Sequence, residues 1–298
     1  MKRSIMSSIV ELYLRITEKH YTKDQLKKDI EFKRKNGDTP YILPKRITKR
    51  YGFLEKQYQG MQVFSLNEEK LNDKVVLYLH GGAYYRKPRK YHFLFAGRIS
   101  EETGVPFVAP IYGKTPIYTP KEVYETLTNL YNELKTKHKD VILMGDSSGG
   151  GLALGLTLYL KEQGYGLPSE LILLSPWVDV SLENEEIQDY IKKDPIVFLD
   201  NVKAFGKEWA GALPLDDYRV SPINGNLSGL CQTHIFCGTR EVLYPDCHLL
   251  YEKLKASGIN VFFYEGKGQN HVYPIYPLIK EAKKARSEIK EIIEKSPT

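Results

Sequence analysis

Residues 141–151 read Val-Ile-Leu-Met-Gly145-Asp146-Ser147-Ser148-Gly149-Gly150-Gly151, and Leu152, Leu154, Leu156, Leu158 and Leu160 follow at once. An apolar strand running through Gly-x-Ser-x-Gly into a buried helix is the setting of a nucleophile elbow. The tight turn holds Ser147 in a strained backbone conformation, which small neighbours permit because no Cβ blocks the flanking chain. Its hydroxyl then stands clear of the sheet. The amide of Ser148, at a helix N-terminus, points toward any oxyanion formed beside it. A glycine-rich strand–helix turn with an incidental serine gives the same letters, so the rest of the chain must decide between them.

A second motif closes another apolar run. Val75 to Leu79 leads into His80-Gly81-Gly82-Ala83-Tyr84-Tyr85. Acyl transfer needs two or three backbone N–H groups converging on a carbonyl oxygen as it becomes negative, and glycines let that backbone approach closely. The amides of Gly81, Gly82 and Ala83, with that of Ser148, are the candidate oxyanion donors. The His80 side chain reads as a buried group shaping the loop.

An acid and a base are then required, in the order serine, acid, histidine. His234 to Gly238 reads as a strand, followed by a loop from Thr239 to Asp246 that carries Glu241. Val261 to Tyr264 is the next strand, followed by the loop Gly266-Lys267-Gly268-Gln269-Asn270-His271. Groups just past strand C-termini can meet, because ligands bind along that edge of a parallel sheet. His271 would take the serine proton while a carboxylate fixes the tautomer and stabilises the imidazolium. Of the 7 histidines, His20 and His138 lie among lysines, His92 and His248 fall in helical runs, and His234 opens a strand. Only His271 sits in a glycine-rich loop after the last apolar strand. For the acid, Glu241 competes with Asp246, which follows Pro245 and so belongs to a first helical turn. Asp179 is a more distant candidate.

With these residues in place the sequence resembles the hormone-sensitive-lipase-like branch of the α/β-hydrolases, bacterial esterases with a His-Gly-Gly-Gly oxyanion motif and a Gly-Asp-Ser-x-Gly-Gly elbow. The match runs from Val75 to Tyr276. Pro110-Ile111-Tyr112, Pro116 and Pro120 are similar to the family's Asp-Tyr-Arg…Pro…Pro segment, and Ser175-Pro176-Trp177-Val178-Asp179 and Ser221-Pro222-Ile223-Asn224 also fit. The resemblance implies a carboxylic-ester hydrolase with Ser147 as nucleophile, His271 as base and Glu241 where the family normally has Asp. Ala83 stands in place of the third glycine of the oxyanion motif and still supplies an N–H. The family also contains a plant hormone receptor without catalytic competence, so fold resemblance alone does not establish an enzyme.

Composition agrees with an enzyme of this kind. The 298 residues, 42% hydrophobic, can bury a large undivided core. No run of about 18 apolar residues exists, which excludes a spanning helix. Met1-Lys2-Arg3 and the residues to Leu14 start like a signal peptide, but Glu11 and Arg15 interrupt it, so an amphipathic helix is expected. The 3 cysteines have neither metal spacing nor a disulfide framework and read as small buried hydrophobes in a reducing cytoplasm. The net charge of +6 is spread along the chain, which argues against a nucleic-acid stripe. No cofactor or metal is implied. The expected partner is a small-molecule ester, and a homo-oligomer is left open.

Strand-like runs at 51–58, 61–66, 75–79, 107–112, 141–145, 171–175, 233–237 and 261–264 alternate with helical runs at 91–103, 119–137, 148–163, 244–257 and 276–294. This argues an α/β class, a mostly parallel eight-stranded sheet with helices on both faces. The first two strands, split by Gln59-Gly60, should form an antiparallel hairpin at one edge. Residues 1–50 and 181–220 do not fit the alternation. The resemblance implies that they fold together as a helical cap, leaving 51–180 and 221–298 as the core. Tyr84, Tyr85, Trp177, Phe198, Phe205 and Trp209 are candidates for lining a substrate pocket, although aromatic residues fill cores equally well. A short-chain acyl ester is the expected substrate. An arylformamidase-like amide hydrolase and a non-catalytic ligand receptor on the same fold remain alternatives.

Overall fold

The computed structural model describes residues 3–18, 20–68 and 72–296. Its centre is an eight-stranded sheet built from β1 (Leu54–Tyr58), β2 (Met61–Leu66), β3 (Lys74–Leu79), β4 (Phe107–Pro110), β5 (Asp140–Asp146), β6 (Glu170–Leu174), β7 (Gln232–Gly238) and β8 (Val261–Gly266). The order across the sheet is β1-β2-β4-β3-β5-β6-β7-β8, with β1–β2 and β2–β4 antiparallel and every other pairing parallel. Both residues of the β1–β2 turn have positive φ, +47° at Gln59 and +78° at Gly60. That matches the twist of an antiparallel hairpin.

Strand alternation sorts the core into two layers. Val75, Leu77, Leu79, Leu143, Leu173 and Ile235 face one way, toward α5 (Pro120–Lys137), α6 (Ser148–Glu162) and α8 (Tyr244–Ala256). Val76, Tyr78, Ile142, Met144, Leu174 and Phe236 face the other, toward α4 (Lys90–Thr103) and α9 (Lys280–Lys295). Two element boundaries differ from the sequence reading by three residues or more. Tyr51 ends a helix, α3 (Lys45–Tyr51), capped by Gly52 at φ +77°, so the first strand opens only at Leu54. The last helix opens at Lys280 and not at 276, because Pro274 and Pro277 hold the preceding segment out of the helical hydrogen-bond pattern.

The N-terminal helices divide among three places. α1 (Ile5–Thr17) lies against α9, α2 (Lys23–Asn36) packs on α7 (Leu199–Ala210), and α3 packs on α4. α1 is amphipathic but turned over. Ser7, Glu11 and Leu14 are buried, whereas Ile5, Ile9, Leu12 and Ile16 face solvent. Glu11 explains the inversion, since it pairs with Arg3, Arg15 and Arg240 at once. Those pairs outweigh its burial and hold its carboxyl down at about 2. No helix among the described residues is long and apolar enough to cross a membrane.

Candidate active site

The C-terminal ends of β3, β5, β6, β7 and β8 converge. Ser147 is the single residue between β5 and α6, with φ +52° and ψ −124°. That conformation is costly for a side chain with a Cβ and persists only where the surroundings impose it. Here its amide donates to the Leu174 carbonyl at 2.9 Å, and its carbonyl accepts from Gly151 and Trp177 at 3.1 and 2.9 Å. The flanking glycines are obligatory. A Cβ on Gly145 would lie 2.2 Å from the Gly149 carbonyl oxygen, and one on Gly149 would lie 2.1 Å from that of Leu79.

Three side chains from three loops form one hydrogen-bonded chain. His271 Nε2 lies 2.9 Å from Ser147 Oγ, and His271 Nδ1 lies 2.5 Å from Glu241 Oε2. With Nδ1–H donating to the carboxylate, Nε2 carries a lone pair aimed at the serine hydroxyl. The other carboxylate oxygen, Glu241 Oε1, accepts from the Gly238 amide at 2.6 Å, the Ser175 hydroxyl at 2.7 Å and the Cys237 thiol at 3.1 Å. Ser175 also accepts from the Val272 amide at 2.9 Å, so one hydroxyl steadies both the Glu241 side chain and the loop behind His271. Burial opposes a charged imidazole, yet the adjoining Glu241 carboxylate prevails and raises the His271 pKa. The other two acids lie elsewhere. Asp246 sits in the first turn of α8, accepts from Asn184 at 2.9 Å and makes no hydrogen bond to His271. Asp179 accepts from the Ser181 amide at 2.9 Å.

The loop after β3 turns through three consecutive positive φ values, +140° at Gly82, +55° at Ala83 and +56° at Tyr84. Its amides differ in availability. The Gly81 N–H, expected among the oxyanion donors, donates instead to Asp146 Oδ1 at 3.0 Å. The amides of Gly82 and Ala83 have no protein acceptor among the described residues. Ser148, the first residue of α6, likewise has no helical carbonyl behind it. Asp146, passed over in the sequence although it lies inside the elbow motif, is the clamp between the two motifs. It accepts from Tyr78 at 2.6 Å as well as from Gly81, and His92 Nε2 lies 3.3 Å from its second oxygen. His80 is structural as expected. It bonds the Gly81 carbonyl at 2.8 Å and stacks on Tyr112 at 4.6 Å, while burial lowers its pKa to about 3 and keeps it neutral.

Alanine at φ +55° is disfavoured by about 1–2 kcal/mol, against the 0.5–1 kcal/mol of extra chain entropy that glycine brings. Ala83→Gly is therefore expected to leave stability unchanged or raise it by about 1 kcal/mol in urea unfolding. A loss of that size would mean that the Ala83 methyl packs favourably enough to outweigh the strain.

A cavity of about 110 Å³ opens beside Ser147, lined on its apolar side by Val197, Phe198, Val202, Phe205, Ile275 and Tyr276. Of the six aromatic candidates, Phe198 and Phe205 line this cavity and the other four do not. Tyr84, Trp177 and Trp209 are core residues beneath the loop. Tyr84 stacks on Trp209 at 4.3 Å and tilts against Trp177 at 5.5 Å, each 2% exposed or less. Tyr85 stacks on the back of Phe205 at 4.3 Å and donates to Asp29 at 2.8 Å. The reversed φ of Tyr84 turns its side chain inward onto Trp209 and Trp177, a direction that residue type does not encode. Asp194 was likewise missed. It is buried in the 181–220 segment and accepts from the amides of Ile196 and Val197, which border the cavity, and from Val242 beside Glu241.

A family model described as alpha/beta hydrolase fold matches residues 76–275. An esterase from Acinetobacter venetianus is 30% identical over 223 residues, 73% of this chain and 74% of the relative. Among solved structures, a Staphylococcus aureus protein provisionally assigned as an esterase superposes with a TM-score of 0.87 at 30% identity, covering 94% of this chain and 95% of that one. An esterase of the bacterial hormone-sensitive lipase family shares the fold, with a TM-score of 0.82 at 23% identity over 99% of both chains. The chain belongs to the alpha/beta hydrolase family, in keeping with its resemblance to the hormone-sensitive-lipase-like esterases.

Proposed function

We propose that the protein is a serine carboxylesterase that cleaves short-chain acyl esters through an acyl-enzyme on Ser147. It is an ester hydrolase of the alpha/beta hydrolase fold; the residues and the substrate range are the proposal. The observation that carries it is the unbroken hydrogen-bonded chain from Ser147 through His271 to Glu241, beside the free amides of Gly82, Ala83 and Ser148. In this reading His271 Nε2 accepts the Ser147 proton as Oγ attacks the ester carbonyl, and the three amides hold the resulting oxyanion. His271 then protonates the departing alcohol. Water, deprotonated by the same imidazole, releases the acid and restores the serine. Glu241 keeps Nδ1 protonated throughout and offsets the imidazolium charge. α2 and α7, from the segments 1–50 and 181–220, act as the cap.

The short-chain preference is supported by the small cavity. Activity on 4-nitrophenyl esters should peak between acetyl and hexanoyl. Beyond that, kcat/KM should fall as each further methylene forgoes a burial worth about 0.8 kcal/mol. N-formyl anilides, run alongside, should turn over far more slowly. Preference for chains of twelve or more carbons, or for the anilides, would overturn this part of the reading.

The pH profile follows from the site. His271 must be neutral to accept a proton, and its pKa is raised above the ordinary imidazole value of about 6.5 by Glu241. The acid limb of kcat/KM should therefore rise through one ionisation lying above that value. A limb centred below pH 6 would contradict a carboxylate-paired base.

A further inference from the structure

Three cations within four residues, Arg86, Lys87 and Arg89, line the cavity beside Ser147. Among the described residues the only carboxylate lining it with them is Asp146, whose oxygens are engaged by Tyr78, Gly81 and His92. The acids just outside are too few to balance the charge. Glu18 forms a two-pronged pair with Arg89 and lies 3.8 Å from Arg86. Asp38 lies 3.7 Å from Lys87 but also 3.0 Å from Lys114 and 3.8 Å from Lys33. Five cations thus share Glu18 and Asp38, with Asp29 as a third acid that acts on Lys33. The crowding shows at Lys33, where burial together with the neighbouring Lys114 and Lys87 brings the pKa down to about 8.

Arg86 is the member left over. Its guanidinium makes no hydrogen bond to the described residues, Glu18 at 3.8 Å is its one ionic contact, and the Tyr21 ring lies 5.7 Å away. Its backbone, in contrast, is fixed. The Arg86 amide donates to the Gly82 carbonyl at 2.7 Å, so the side chain leaves the main chain one turn beyond the oxyanion loop. A guanidinium held in this way presents a planar fork of N–H donors matched to a carboxylate or phosphate. A partly enclosed site also screens the attraction less than open solvent does.

We infer that the cavity mouth selects esters bearing an anionic oxygen group, a carboxylate or phosphate, and that Arg86 is the residue that determines this specificity. The inference rests on the ester-hydrolase reading of Ser147. A neutral ester leaves the Arg86 fork facing water. An anionic one supplies the missing acceptor, whether the charge is carried by the acyl or the alcohol part.

Matched pairs of substrates test it. In the acyl arm, 4-nitrophenyl valerate is compared with the mono-4-nitrophenyl ester of glutaric acid. In the alcohol arm, methyl 4-acetoxybenzoate is compared with 4-acetoxybenzoate and 4-acetoxyphenyl phosphate, each rate divided by that of alkaline hydrolysis. In at least one arm the charged member should have a kcat/KM about tenfold higher at low salt, the size of one charge-assisted hydrogen bond, and gained mostly in KM. The ratio should shrink toward one at about 0.5 M salt. Arg86→Met should reduce the ratio at least fivefold, with Arg86→Lys between the two. A wild-type ratio of one or less in both arms, or one indifferent to salt, overturns the inference with no variant needed. A ratio unchanged in Arg86→Met does the same. Hydrolysis of neutral esters without charge preference leaves the function of Ser147 standing, whereas no hydrolysis of any ester removes both.

Discussion

Replacing Ser147 with alanine is expected to lower kcat on 4-nitrophenyl butyrate by about 10⁴-fold or more, with the fold intact. The size of the effect follows from what remains. His271 and the amides of Gly82, Ala83 and Ser148 stay in place, so water can still attack a bound ester. The covalent path is lost, and with it the oxygen held 2.9 Å from the imidazole. An organophosphonate should add once per chain, at Ser147 in the digested peptide. The neighbouring Ser148 cannot substitute, because its side chain is fully buried. An adduct on Ser148, or an alanine variant with full activity, would remove the elbow from the mechanism.

Glu241→Gln should lower kcat by about 10²–10⁴-fold while the protein stays folded. Three donors, Gly238 N–H, Ser175 O–H and Cys237 S–H, converge on Glu241 Oε1. The oxygen of a glutamine would take that position, leaving its NH₂ group to face His271 Nδ1. A donor there makes Nδ1 the acceptor and moves the imidazole proton to Nε2, the nitrogen that must take the proton of Ser147. Asp246→Asn is the control and should change kcat by no more than about threefold, since Asp246 does not touch His271. Its effect on stability has a definite sign. Burial pushes the Asp246 carboxyl up to about 6, above its unfolded value of about 3.9, so the native state binds the extra proton and stability falls as pH rises between those values. A first helical turn favours a carboxylate, but burial opposes its charge here. The asparagine variant should therefore be at least as stable as wild type at pH 7.5 in urea unfolding. An Asp246→Asn loss larger than that of Glu241→Gln would exchange the two assignments.

Ser147, His271 and the loop from His80 to Tyr85 were legible because each lies at the end of an apolar strand, and motif spacing places strand ends. The hairpin at Gln59-Gly60 and the split between the two core layers were legible for the same reason, since alternation along a strand is a local property. Asp146 shows the limit. It stood within the elbow motif, yet its bond to Gly81 spans 65 residues and joins β5 to the loop after β3. Ser175 and Asp194 act on Glu241 and its loop across similar separations, and neither carries a local signal.

The sequence by itself determined the parallel sheet, the nucleophile and base candidates, and the family, because these follow from hydrophobic period and from short motifs at strand ends. Only the tertiary structure decided which amide of the oxyanion loop is already engaged and which aromatic residues face the cavity. It alone also showed that Glu241, and not Asp246, reaches His271, and that the Arg86 guanidinium keeps only a long ionic contact to Glu18. Those outcomes depend on φ signs within one loop and on contacts between strands distant in the chain, and neither is encoded in residue type or spacing.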